Sequence, residues 1–270
     1  MGFATICAWA FNSGLTSAAY LSATAVLLVG PARAPTLPAA LGLIAFYWVM
    51  YLVDRIKPSP EDLASDGASA ASFVRERMPV FQALFVATLA TVLGCAAVRP
   101  SLLVALALSL VVSLAYLVRI PGLGRRVKEL PGCKPIYLGF TVATITGAFA
   151  WADGAAPDPV GVALVTANVL VNTALYDLKD VAADRRAGLR SLATLLGRRL
   201  FPVLHVINVS SVVVAWVAAT TEVAWIATWL AAFYAGVLWW TRRHEFDAVL
   251  AAAIDAGTAV VLIVGWLAFH

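Results

Sequence analysis

Charge is scarce in this chain: only 13% of its 270 residues are Asp, Glu, Lys or Arg, against 62% hydrophobic residues. With a mean hydropathy of +0.88, the chain lies outside the range of a water-soluble domain, and the bilayer is its solvent. Cysteine and histidine are equally sparse. Cys7, Cys95 and Cys133 form no CxxC or Cys/His spacing, and His205, His244 and His270 are dispersed, so a zinc or haem centre has little support. No tandem repeat is visible. No apolar run is followed by a small-residue cleavage pattern, so the first run is read as a true helix rather than a removable signal.

What the chain has is length in its apolar runs. A helix needs about 20 apolar residues to cross roughly 30 Å of hydrocarbon. Nine stretches meet that measure, at 5–29, 37–56, 80–98, 101–118, 135–152, 159–177, 202–219, 222–240 and 248–269. The expected fold is all-α, a multi-pass membrane helix bundle of about nine transmembrane helices, with residues 1–270 forming a single transmembrane domain. The basic residues agree with this layout. The segments 54–79, 119–134, 178–201 and 241–247 hold 17 of the 19 Lys and Arg, and nine spans put all four on one side. Only Arg33 and Arg99 lie on the other. Because Lys and Arg collect in cytoplasmic loops, the expected location is the cell membrane, with the N-terminus and these loops cytoplasmic. Acidic residues are interspersed among the basic ones, which argues against nucleic acid as a partner.

The interior loops are long and the exterior turns short, which places the chemistry on the interior side. The stretch YDLKDVAADRRAGLRSLATLLGRR, from Tyr176 to Arg199, is the most charged. Its Asp177, Asp180 and Asp184 stand at i, i+3 and i+7, so on a helix they share one face. Three like charges at a membrane interface repel one another unless a cation lies between them. Magnesium, bound through one or two carboxylates plus substrate phosphates, meets that need. The plainer reading is a solvated helix end paired with Lys179, Arg185 and Arg186. Asp54 tips the balance toward metal: it closes the second span on the same side, and two acidic ends facing one compartment can hold a diphosphate through metal.

DLKDVAADRRAGLRSLATLLG resembles the second aspartate-rich motif of the UbiA superfamily of intramembrane prenyltransferases, D-x-x-D-x-x-x-D followed by a basic, Gly-containing run and Leu-Gly. The resemblance extends to the nine-span layout, with acidic helix ends after the second and sixth spans. It implies Mg2+ as cofactor and an isoprenyl diphosphate, a lipophilic acceptor and membrane lipid as partners. The metal ligands would be Asp54, Asp177, Asp180 and Asp184, with Asp54, Asp177 and Asp180 serving catalysis. Diphosphate-binding cations would come from Lys128 and Lys134 in GRRVKELPGCKP, the segment that supplies them in the family, joined by Arg75 and Arg77 in FVRERMP. Arg119, Arg125 and Arg126 are weaker choices. The chain departs from the family's first motif, N-D-x-x-D-x-x-x-D. With Asp54 in register, Met50, Tyr51 and Pro58 stand where Asn, the first Asp and the last Asp are expected.

Tyr47 and Tyr51 are four apart on the way to Asp54. They either belong to an interfacial aromatic belt or line a cavity and stabilise an allylic cation with their π faces. Asp255, an ionisable residue inside the ninth span, has no partner visible in the sequence. The expected activity is transfer of an isoprenyl group to a lipophilic acceptor. The rivals are a membrane terpene cyclase, which needs no acceptor, and a non-catalytic isoprenoid or lipid-binding relative. Broken helices, a pointer to transporters, are expected to be scarce.

Overall fold

The computed structural model describes residues 3–30, 33–57, 67–118, 122, 124, 126–186, 188, 190–244 and 248–269. Among them there is no strand. The helices are α1 (Phe3–Asn12), α2 (Leu15–Ala23), α3 (Ala25–Val29), α4 (Leu37–Ile56), α5 (Gly67–Glu76), α6 (Met78–Val98) and α7 (Leu102–Leu117). They continue with α8 (Cys133–Ala152), α9 (Pro159–Arg186), α10 (Leu192–Leu196), α11 (Leu200–Ala218), α12 (Thr221–Thr241) and α13 (Ala248–Ala268). Proline marks the starts of α4 and α6, where its missing N–H costs no helical bond.

By length and composition, 7 described helical segments suffice to cross a membrane: Leu37–Ile56, Met78–Val98, Cys133–Ala152, Pro159–Leu178, Leu192–Ala218, Thr221–Thr241 and Val249–Ala268. Two shorter apolar segments, Leu15–Val29 and Leu102–Tyr116, occupy the places of the first and fourth expected spans. The bundle layout is thus as anticipated, with nine as an approximate count.

The first span is not the single helix expected. It is three helices, broken at Ser13–Gly14 and again at Thr24, and this corrects the expectation that broken helices are scarce. Gly14 has φ 74°, a left-handed conformation that side chains other than glycine's resist. A Cβ there would also collide with the Cβ of Tyr51 on α4, so the break is seated against that tyrosine.

One large core joins α2, α3, α4, α8, α9 and α12 through Leu28, Phe46, Phe149, Val165, Ile226 and their neighbours. Close approach is bought with small residues: Gly161 of α9 lies against the Leu27–Leu28 backbone of α3, where any Cβ would clash. A second core around Leu175, Leu200, Leu204, Tyr234 and Ile254 binds α9 to α11, α12 and α13.

At the end remote from Asp177, one carboxylate ties three turns together. Asp153, 4% exposed, accepts hydrogen bonds from the Thr36 N–H (2.8 Å) and hydroxyl (2.5 Å) and an ion pair from Arg99 (2.8 Å). Arg33 donates to the Asp153 and Gly154 carbonyls, while Arg99 Nε and Ser101 donate to that of Ala152. The two basic residues that depart from the interior charge bias are therefore structural clamps. Asp153→Ala removes the carboxylate acceptor of Thr36 and Arg99 and should lower stability in detergent by about 2–4 kcal/mol. A depressed thermal midpoint is the expected result; an unchanged midpoint contradicts the clamp.

Candidate active site

Helix α9 carries the candidate site because it outlasts its apolar stretch. Its 28 residues extend about 42 Å at 1.5 Å per residue, beyond the roughly 30 Å of hydrocarbon. The apolar segment ends at Leu178, so Asp177 sits in its last turn and Asp180 and Asp184 on the projecting turns that follow. All three carboxylates lie on one continuous helix, as their spacing predicts. Their surroundings differ. Asp177 is fully buried, whereas Asp180 and Asp184 are half-buried. Asp54 is exposed in the last turn of α4.

Lys134, the second residue of α8, brings its ammonium to 2.6 Å from Asp177 Oδ1. The carboxylate side chain is 1% exposed and the lysine side chain 32%, so the pair lies at the boundary between core and mouth. Asp180 and Tyr116 are also close enough to act on the Lys134 charge. Local structure aims this lysine. Gly132, in the left-handed region, turns the chain into α8, and its N–H donates to the Arg190 carbonyl, which docks the segment after α9 against the start of α8. Just upstream, Arg126 folds onto Glu129 and closes a 3-10 turn at Val127–Glu129, so its guanidinium is engaged locally.

The other sequence candidates fall differently. The Lys128 side chain lies outside the described residues, as do Arg119 and Arg125 entirely. Arg75 is exposed on α5. Arg77 pairs with its neighbour Glu76 at 3.0 Å and covers the Phe73 ring, with its carbon centre 4.2 Å from the centroid. Tyr47 belongs to neither an interfacial belt nor a cavity wall. It is 3% exposed, and its hydroxyl lies 2.8 Å from that of Thr146 and donates to the Val142 carbonyl, pinning α4 to α8.

Three residues outside the expected site connect its parts. The Arg55 guanidinium lies 5.9 Å from the Phe11 ring centroid, and Phe11 stacks on Tyr176 at 6.3 Å. The two acidic helix ends are thus bridged through α1, from the residue after Asp54 to the residue before Asp177. Arg55 Nε is buried and makes no hydrogen bond. Its place directly after Asp54 was the one sequence signal for it; Phe11 offered none. Deeper in the bundle, Asp255 is 1% exposed and accepts from Ser17 Oγ (2.5 Å) and Asn172 Nδ2 (3.0 Å). A cavity of about 20 Å³ in the same interior, lined by residues including Asn168, Asn208 and Ser211, has room for water but not for a prenyl chain.

The donor chemistry suits a hard cation. Asp54, Asp177, Asp180 and Asp184 offer oxygen only, and the Lys134 ammonium on Asp177 shows that this buried carboxylate takes a cationic partner. Among the described residues, no three Asp, Glu, His or Cys side chains converge on one ion position. A partial set of protein oxygens suits magnesium, which completes its octahedron with water and phosphate oxygens.

No protein-family model matches the sequence, and no curated protein matches it. Solved structures do match. A UbiA homolog from Archaeoglobus fulgidus bound to GPP and Mg2+ superposes with a TM-score of 0.66 at 15% identity, covering 97% of this chain and 98% of the homolog. The same organism's homolog bound to DMAPP and Mg2+ gives 0.61 at 16% identity, over 96% and 95% of the two chains. A UbiA homolog from Aeropyrum pernix K1, without ligand, gives 0.63 at 17% identity over 94% and 97%. The chain has the fold of these homologs and is a multi-pass membrane protein.

Proposed function

With the UbiA fold as premise, we propose that this chain is a Mg2+-dependent membrane prenyltransferase that moves an isoprenyl group from its diphosphate to a lipophilic acceptor. The observation that carries this reading is the Lys134–Asp177 pair, a cation and a metal-type carboxylate within 2.6 Å where an acidic helix face meets the core. Bound Mg2+ would neutralise diphosphate charge and assist its departure. The chain's residues have complementary tasks. Asp177, Asp180, Asp184 and Asp54 would supply oxygen ligands. Lys134, Lys128, Arg75 and Arg77 would bind diphosphate oxygens, where charge grows as the C–O bond breaks. Arg55, with a buried guanidinium nitrogen to satisfy, joins them. The apolar bundle below would exclude water from the allylic cation until the acceptor captures it.

One observation favours a second reading. Tyr51 replaces a first-motif carboxylate and faces the interior beside Ser17 and Asp255, with Tyr176 and Tyr234 also near Asp255. An aromatic interior of this kind suits a terpene cyclase, whose cation reacts intramolecularly. Product analysis after incubating detergent-solubilised protein with geranylgeranyl diphosphate and Mg2+, with and without quinone-precursor and glycerol-phosphate acceptors, separates the readings. An acceptor-dependent product supports the transferase, and a cyclised hydrocarbon without acceptor replaces it with the cyclase. Substrate binding without any turnover points to the non-catalytic relative.

The charge bias supports a mouth on the cytoplasmic side of the cell membrane. Single cysteines substituted at Lys57, Lys128 and Arg190 should react with impermeant reagent only from that side. Labelling of any of them from outside overturns the orientation.

A further inference from the structure

Asp255 lies outside the mouth and has no task in the reading above. It is buried on α13, yet three other helices send polar groups to it or close by: Ser17 from α2 and Asn172 from α9 as donors, and Tyr51 from α4. Tyr20 of α2, Tyr176 of α9 and Tyr234 of α12 also lie near it. Tyr176 is held in place by donating its hydroxyl to the Ala251 carbonyl on α13 at 2.7 Å. The depth of this ring follows from helix geometry. Asn172 precedes Asp177 by five residues, about 7.5 Å along α9 at 1.5 Å per residue, and Tyr51 precedes Asp54 by three. The ring is therefore about one turn farther into the bundle than the acidic helix ends.

Its hydrogen-bond donors suit a held anion. Two donors, a hydroxyl and an amide, point at the two carboxylate oxygens, and Ser17 belongs to the first turn of α2, whose free amides make that helix end electropositive. The break at Gly14 creates this helix start inside the membrane, beside Tyr51. A structural clamp between helices could be made from neutral groups; a carboxylate in the interior adds negative potential to a low-dielectric region.

Resting on the prenyl-transfer reading, we infer that Asp255 is the interior counter-charge for the allylic cation. When the C1–O bond of the isoprenyl diphosphate breaks, its electron pair leaves with the diphosphate, and positive charge spreads over C1 and C3 of the prenyl group. The diphosphate and its cations lie at the mouth. Asp255 acts from the opposite side, through space, and favours charge in the prenyl chain over its return to the diphosphate. Asp255 is thus an electrostatic positioning residue rather than one that bonds to substrate.

The structure supplies a charge-only variant. In Asp255→Asn, Ser17 can still donate to the remaining carbonyl oxygen. The Asn172 amide can turn over, because its Oδ1 is buried without a hydrogen-bond partner and would accept from the new amide. These two hydrogen bonds survive and the charge is lost.

The test compares binding of protonated N,N-dimethylgeranylamine, a mimic of the cation, with binding of its uncharged carbon isostere, in the presence of Mg2+ and inorganic diphosphate. Preference for the amine should fall about 50-fold in Asp255→Asn, the factor expected for unit charges roughly 7 Å apart at an effective dielectric of about 20. Mg2+-dependent binding of geranyl diphosphate itself should be retained. An amine preference equal in both proteins overturns the inference. If Asp255→Asn cannot be purified folded, the unaltered protein with Mg2+ and no diphosphate decides: amine preferred supports the counter-charge, and equal binding of amine and isostere refutes it. Absence of any Mg2+-dependent geranyl diphosphate binding would instead remove the prenyl-transfer reading itself, so the two failures are distinct.

Discussion

Asp177→Ala should destabilise the protein by about 2–4 kcal/mol and reduce Mg2+-dependent diphosphate binding by two orders of magnitude or more. The stability loss follows from burial. Removing one partner of a buried ion pair leaves the other uncompensated, at about 3–5 kcal/mol, and the partial exposure of Lys134 softens that cost. The binding loss follows from the proposed role of the same carboxylate as a metal ligand. The two effects can be pulled apart. Lys134→Met combined with Asp177→Leu replaces the pair with apolar side chains of similar volume, a change that is often neutral or stabilising at buried sites. The double variant should recover most of the wild-type thermal midpoint and bind no diphosphate. If it binds geranyl diphosphate as wild type does, the pair is only structural.

The second large effect concerns Tyr51, where sequence and structure lead to opposite expectations. Read as a missing first-motif aspartate, Tyr51 invites Tyr51→Asp as a repair that tightens Mg2+ binding. The structure places this side chain elsewhere: its Cβ covers Gly14 at the break in the first span, and its ring reaches toward Ser17 and Asp255. An aspartate there would empty an aromatic site and set a second carboxylate near a buried one. Tyr51→Asp should therefore cost about 3–5 kcal/mol, comparable to truncating a core aromatic, and added Mg2+ should not restore the thermal midpoint. Tyr51→Phe should cost about 1 kcal/mol, the worth of one hydroxyl hydrogen bond. A Tyr51→Asp protein that is as stable as wild type and binds Mg2+ more tightly would reinstate the repair account.

What could be read in the sequence was local or additive. The bundle emerges from summed apolar length, and the common face of Asp177, Asp180 and Asp184 from helical spacing alone. Lys134 was singled out through the family resemblance of its segment, but its pairing with Asp177, 43 positions away, was not legible. What could not be read depends on contacts between distant residues. Asp255 meets Ser17 across 238 positions, and Arg99 meets Asp153 across 54, and no periodicity links either pair. Arg33 and Arg99 stood out as exceptions to the charge bias, but their shared carboxylate did not. Gly14 was visible as an isolated glycine in an apolar run, a position helices often tolerate. Only the tyrosine packed against it explains why the chain breaks there. Tyr47 shows the same limit in reverse: a tyrosine near a helix end invites an interfacial or cavity role, and a hydroxyl pair with Thr146 makes it core instead.

The central claim is that this acidic helix end binds an isoprenyl diphosphate through magnesium. Equilibrium binding of geranyl diphosphate to purified protein, titrated with Mg2+ after EDTA treatment, tests it most directly, with Asp180→Ala as the companion variant. Asp180 is half-buried at the projecting end of α9, so its loss should leave the thermal midpoint near that of wild type. The account predicts negligible binding in EDTA, recovery as Mg2+ is restored, and no recovery in Asp180→Ala. Equal binding with and without EDTA, or a normal Mg2+ response in Asp180→Ala, would contradict it.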